Sequence, residues 1–157
     1  MGGGNELGLG CFFGLGWGDF WYSGEVIEEK VVSTIFSRII AGEVPSYKVY
    51  EDERTYAFLD IKPETVGHVL VVPKVEEDRV YALDDIFYDA LWRSVRKVAV
   101  KMEGVLGKRV IIKVIGVDVP HAHVHVMPFD EEWAPGRVVE MGEEEMREMA
   151  ERLRVAD

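Results

Sequence analysis

Residues 120–128 read Pro120-His121-Ala122-His123-Val124-His125-Val126-Met127-Pro128, three histidines on alternate positions. Successive side chains of an extended strand point to opposite faces, so the three imidazoles share one face and Ala122, Val124 and Val126 share the other. The intervening residues are small or β-branched and apolar, which fits a strand whose back is covered by a core. Strand stability has no use for three adjacent titratable rings. The pattern therefore marks a catalytic or ligand-binding face, the alternative being a polar face open to water.

Outward from this stretch the chain is regular. Ser33 or Thr34 is placed to cap a short helix carrying Phe36, Ile39 and Ile40, ended by Gly42 and Pro45. Strands are expected over Lys48–Glu51, Thr55–Leu59 and His68–Pro73. Asp84 or Asp85 opens the longest helix, whose Phe87, Leu91, Val95, Val98 and Met102 recur at three- and four-residue steps and form one buried stripe. Gly104 and Gly107 close it. A strand over Arg109–Ile115 pairs with the histidine strand through the Gly116–Pro120 connection, and a polar acidic helix over 143–154 ends the chain. The order gives an α+β domain with a largely antiparallel sheet, one long helix and short flanking helices.

The 157 residues suit one domain over 33–157, with a core at 33–128, preceded by a Gly- and aromatic-rich arm at 1–32. The arm lacks the basic start and the continuous apolar run of a signal peptide, and its glycines interrupt any membrane span. Either its aromatics are buried against the domain or a neighbouring subunit, or the segment is an extension foreign to the fold. A net charge of −11 argues against a general nucleic-acid surface, because phosphate backbones are held by Lys and Arg clusters. Ten acidic residues against four arginines fall in 130–157, as expected of a solvated helix face. The lone Cys11 permits neither an intrachain disulfide nor a thiolate cage, and is compatible with a cytoplasmic location.

Neighbouring imidazoles serve two chemistries. They can converge on a cation, with His68, the only other histidine, completing the set. Alternatively a neutral imidazole attacks phosphorus while its neighbours absorb charge on the phosphate oxygens. Spacing and composition leave both open.

The surrounding blocks resemble the histidine triad (HIT) family, whose motif alternates three histidines with hydrophobic residues. His121-Ala122-His123-Val124-His125-Val126-Met127 fits it throughout. Ile35 to Pro45 looks like the family's first helix and exit turn, Tyr50–Glu53 with Ala57–Pro63 its first hairpin, and Gly67–Lys74 the next strand. The resemblance implies a homodimeric HIT-like fold that binds a purine nucleotide and cleaves at its α-phosphate. It implies His123 as nucleophile, His125 as donor to a phosphate oxygen, and His121 and His68 as the groups behind them that orient rings and pass protons. It also implies Asp60 on the ribose hydroxyls, where an ordinary turn residue is the alternative, and Phe36, Ile39, Val44, Phe58 and Ile61 around the base.

Two departures stand out. Many relatives carry a Cys-x-x-Cys pair for a structural zinc, and here those places are Thr34 and Ser37, so no metal and no cofactor is expected. Asp118 stands in the phosphate loop where relatives have a hydroxyl; it either meets a cationic leaving group or bonds the amides of a tight turn. The expected activity is a purine nucleoside phosphoramidase-like one. A dinucleoside polyphosphate hydrolase, a regulatory nucleotide binder with vestigial catalysis and a histidine-ligated metalloprotein are the other readings. No membrane partner is expected.

Overall fold

The chain divides into two units, Met1–Lys30 and Val31–Asp157. A computed structural model describes residues 33–156, so the expectations for the arm lie outside the described residues. Helix α1 (Ile35–Ile40) is followed by strands β1 (Lys48–Glu51), β2 (Thr55–Leu59) and β3 (Val69–Pro73), and by one 3₁₀ turn (Val80–Ala82). Then come α2 (Asp85–Leu106), β4 (Val110–Lys113), β5 (Val124–Pro128) and α3 (Glu143–Leu153). The strands form one antiparallel sheet in the order β1-β2-β3-β5-β4.

Period-two alternation sorts the side chains of this sheet into two cores. Ala57, Leu59, Val69, Val71, Val124 and Val126 face Leu91, Val95, Val98 and Met102 of α2 and the apolar stripe of α3 (Met146, Met149, Ala150, Leu153). Tyr56, Phe58, Leu70 and Val72 face the other way and pack with Phe36 of α1. The pairing of Leu70 with His125 puts the histidine face on this second, smaller core.

The helix ends follow from capping chemistry. The Thr34 hydroxyl accepts from the Ser37 amide at α1, and Asp84 accepts from the Phe87 amide at α2. Gly107, at φ +63°, ends α2 by giving its amide to the Glu103 carbonyl. Gly104 has no capping part, because α2 runs on to Leu106. Gly67 is required by its φ of +96°, which L side chains rarely adopt, and it directly precedes His68.

The sheet corrects the histidine strand. Its ladder begins only at Val124, paired with Val71, so His121 and His123 precede it. There the pairing with β3 stops although β3 runs on to Pro73, and the Ala122 amide bonds the Glu77 carbonyl instead. The strand expected over Arg109–Ile115 is likewise shorter, Val110–Lys113. Beside the buried stripe of α2, Trp92 and Ala99 also pack against the main core, whereas Tyr88 is exposed.

Candidate active site

All four histidines are buried, which rules out a histidine face open to water. Phe36 stands edge-on to His123, His121 and Phe58, with ring centroids 5.3, 5.9 and 5.6 Å away. His123 and His125 are 5.0 Å apart between centroids, and His125 and His68 are 5.1 Å apart.

Backbone groups of fixed polarity decide which nitrogen of each ring carries a proton, since a neutral imidazole has one donor and one acceptor. The Glu64 amide donates to His68 Nδ1 at 3.2 Å. The proton of His68 is therefore on Nε2, which donates to His125 Nδ1 at 2.9 Å. That leaves His125 with its proton on Nε2, a buried atom with no hydrogen-bond partner. An unpaired buried donor costs about 1–3 kcal/mol, and such groups are characteristic of sites that await an acceptor.

His123 is set in the opposite sense. Its Nδ1 donates to the His121 carbonyl at 2.6 Å, so Nε2 keeps its lone pair. His121 gives its Nε2 proton to the Pro73 carbonyl at 2.9 Å, while its Nδ1 faces the Thr34 hydroxyl at 3.1 Å and the Ser37 hydroxyl at 3.4 Å. The result is a lone pair on His123 next to an N–H on His125. Nucleophilic displacement at phosphorus needs that juxtaposition.

Burial favours the neutral form of His68, His121 and His125. Desolvation pushes His68 and His125 down to about 4 and lowers His121 as well. At His125, repulsion from His68 and His123 adds to the larger effect of burial.

A cavity of about 350 Å³ borders His123 and is lined by Asp78, Arg79, Tyr81, Val114 and Gly116 among others. Ile39 packs with Phe36 and Phe58, and Val119 joins them from the phosphate loop. Val44 is half-buried nearby in sequence but joins neither core. Ile61 is 76 % exposed and lines a different hollow, with Pro45, Tyr47 and α3. Asp60 Oδ1 accepts from the Lys62 amide at 2.9 Å, as a turn residue does, and Oδ2 lies 3.7 Å from His68 Nδ1. Asp118 is exposed and makes no hydrogen bond to a turn amide among the described residues.

The amino-acid pattern gave no sign of Glu64 and Lys113. Lys113 is the register partner of His125, and its ammonium grips the Glu64 carboxylate. Partners 49 residues apart leave no local signature.

A HIT domain model matches residues 41–132. The chain belongs to the HIT family. A HIT-like protein of Methanocaldococcus jannaschii is 40% identical over 114 residues, covering 69% of this chain and 87% of that protein. Adenosine 5'-monophosphoramidase HNT1 of Saccharomyces cerevisiae is 34% identical over 98 residues, 60% of this chain and 61% of the yeast protein. Among solved structures, a Zn-bound histidine triad family protein from Mycobacterium smegmatis superposes with TM-score 0.68 at 25% identity, over 79% of this chain and 92% of that one. HIT membership makes this chain one of the nucleotide-binding hydrolases and transferases, and the fold is the family's α+β fold.

Zinc does not fit the α1 side of this HIT domain. Protein zinc is held by thiolate, imidazole or carboxylate. Here Thr34 and Ser37 offer neutral hydroxyls, and the Thr34 hydroxyl already lies in hydrogen-bond range of His121 Nδ1. The four imidazoles do not converge on one point either, because the ring nitrogens of His121 and His123 Nδ1 are directed at carbonyls and hydroxyls. Asp60, His68 and His125 offer ligand atoms within 4.8 Å of one another, but a metal there would have to compete with the His68–His125 hydrogen bond.

Proposed function

We propose that this HIT protein hydrolyses or transfers at the α-phosphate of a purine nucleotide through a nucleotidyl-imidazole on His123, with nucleoside phosphoramidates as substrates. The observation that carries this reading is the His123 Nε2 lone pair beside the unpartnered N–H of His125. His123 Nε2 forms a bond to the α-phosphorus as the P–N bond to the leaving amine breaks, and the amine departs with a proton. His125 Nε2–H donates to a phosphate oxygen as charge develops there. Water then attacks phosphorus, the P–imidazole bond breaks, and AMP and neutral His123 are released. One hard displacement is thus divided into two easier ones.

The base lies against the Phe36, Ile39 and Phe58 cluster, with Val44 at its margin, and Asp60 takes the ribose hydroxyls through Oδ2. Asp118 meets the amine of the leaving group from the phosphate loop. Support for the phosphoramidate class comes from the yeast 5'-monophosphoramidase relative. The experiment is a substrate panel of AMP-amine phosphoramidates, diadenosine polyphosphates and nucleotide sugars, with His123→Ala as control. Turnover of the phosphoramidates above the others, abolished in the variant, is expected. Preferential cleavage of diadenosine polyphosphates would move the assignment to a polyphosphate hydrolase.

The working unit in this proposal is a homodimer. Strand β4 is a sheet edge whose Ile112 is exposed, as is Val114 just beyond it, and an unpaired apolar edge invites pairing with a second copy. A cytoplasmic location and a domain spanning 33–157 complete the proposal; among the described residues no helix is long and apolar enough to cross a membrane.

A further inference from the structure

Behind the imidazole pair lies a polar joint that none of the chemistry above uses. Lys113 Nζ stands 2.6 Å from each carboxylate oxygen of Glu64, and the Trp133 indole N–H donates to Glu64 Oε2 at 2.9 Å. The ammonium also lies 5.8 Å from the centroid of the Trp133 ring. The side chains of Lys113 and Glu64 keep only 18% and 13% of their exposure. An exposed pair would be loose and nearly free of consequence; a pair this enclosed, with three donors on one carboxylate, is a fixed attachment, since losing one partner would strand a charge out of water. Three distant segments meet in it: the loop before β3, strand β4 and the loop after β5.

The joint anchors the residue whose backbone amide selects the tautomer of His68. Two groups compete for His68 Nδ1. The Glu64 amide, at 3.2 Å, demands an acceptor there, and Asp60 Oδ2, at 3.7 Å, would accept a proton from it. If the amide withdrew, the proton of His68 could settle on Nδ1 towards Asp60. His68 Nε2 would then become an acceptor, His125 Nδ1 would become its donor, and His125 Nε2 would carry a lone pair. The whole chain would reverse its polarity, and a phosphate oxygen would meet a lone pair in place of an N–H.

We propose that the Glu64–Lys113–Trp133 joint is a positioning device that holds the Glu64 amide on His68 Nδ1 and so keeps the His125 Nε2–H directed at the reacting phosphate. Its effect on rate rests on the nucleotidyl-transfer reading above; its effect on the tautomers does not. Glu64, Lys113 and Trp133 touch no reacting atom and act through His68 and His125 alone.

Imidazole ¹⁵N spectra of the full chain at neutral pH test this. In the parent protein His68 and His125 should both appear as Nε2–H tautomers. Glu64→Ala and Lys113→Met should turn both rings towards Nδ1–H together, with Trp133→Phe a milder version should the first two fail to fold. Because misplaced catalytic groups cost rate, kcat should fall roughly ten- to a hundredfold while KM changes by less than about twofold. Folded variants whose rings keep the parental tautomers overturn the proposal, whatever their rates. Coupled reversal in a protein that cleaves no nucleotide would leave the joint standing and remove the functional reading. Nucleotide cleavage with immovable tautomers would do the opposite.

Discussion

At the scale of single residues, the site is a set of rings whose hydrogen-bond polarity is assigned by the backbone. The carbonyls of His121 and Pro73 and the amide of Glu64 cannot change polarity, so they decide the tautomers of His123, His121 and His68 in turn. His125→Ala removes the buried Nε2–H that has no partner among the described residues. Loss of such a preorganised donor costs about 10²–10³ in kcat, so steady-state kinetics should show that drop with KM little altered. An effect below about tenfold would deny His125 its part in stabilising the phosphate. Phe36 is the second sensitive position, because it contacts His121, His123 and Phe58 at once. Phe36→Ala should destabilise by about 3–5 kcal/mol, read as a fall in the urea midpoint, and should weaken nucleotide binding in parallel.

At the scale of elements, alternation and helical periodicity made most of the fold readable. The stripe Leu91, Val95, Val98 and Met102 is the face that α2 buries, and Asp84 and Gly107 bound that helix as their chemistry requires. The same alternation in β2 and β3 separates the core under α2 from the one under α1. What stayed hidden depends on partners that sequence order does not bring together. Periodicity ran the histidine strand back to His121, but the ladder stops at the Val71–Val124 pair although β3 runs on to Pro73, because the amides of His121 and Ala122 bond the Val119 and Glu77 carbonyls. The four histidines were legible as a cluster, yet their tautomers depend on a carbonyl 48 residues away and on a loop amide. Glu64, an unremarked loop residue between two strands, was invisible for the same reason. Gly67→Ala tests the link between element and site. Its positive φ should cost about 1 kcal/mol, with His68 displaced and kcat reduced along with stability. Unchanged stability and rate in that variant would mean that the turn before β3 does not set His68.

At the scale of the whole molecule, the buried histidines tie stability to pH. Burial lowers His68 and His125 from 6.5 to about 4, so the unfolded chain binds more protons than the folded one between those values. Stability is then fully present above pH 6.5 and falls as the pH drops towards 4, losing on the order of 2 kcal/mol per ring by pH 5. Urea unfolding at several pH values should show this slope, and His125→Asn should flatten it; an equal slope in that variant would contradict neutral burial of the pair. The proposed homodimer through β4 belongs to this scale too. Sedimentation at micromolar concentration should give twice the chain mass, and Ile112→Lys, which places a charge on the unpaired edge, should shift it to monomer.

The most direct test of His123 as nucleophile is a rapid-quench experiment with an AMP phosphoramidate, stopped without acid and read by intact mass and fragmentation. The expected result is a transient gain of one AMP unit located on His123 and lost in His123→Ala together with turnover. An adduct on another residue, or turnover that survives the loss of His123, would contradict the account.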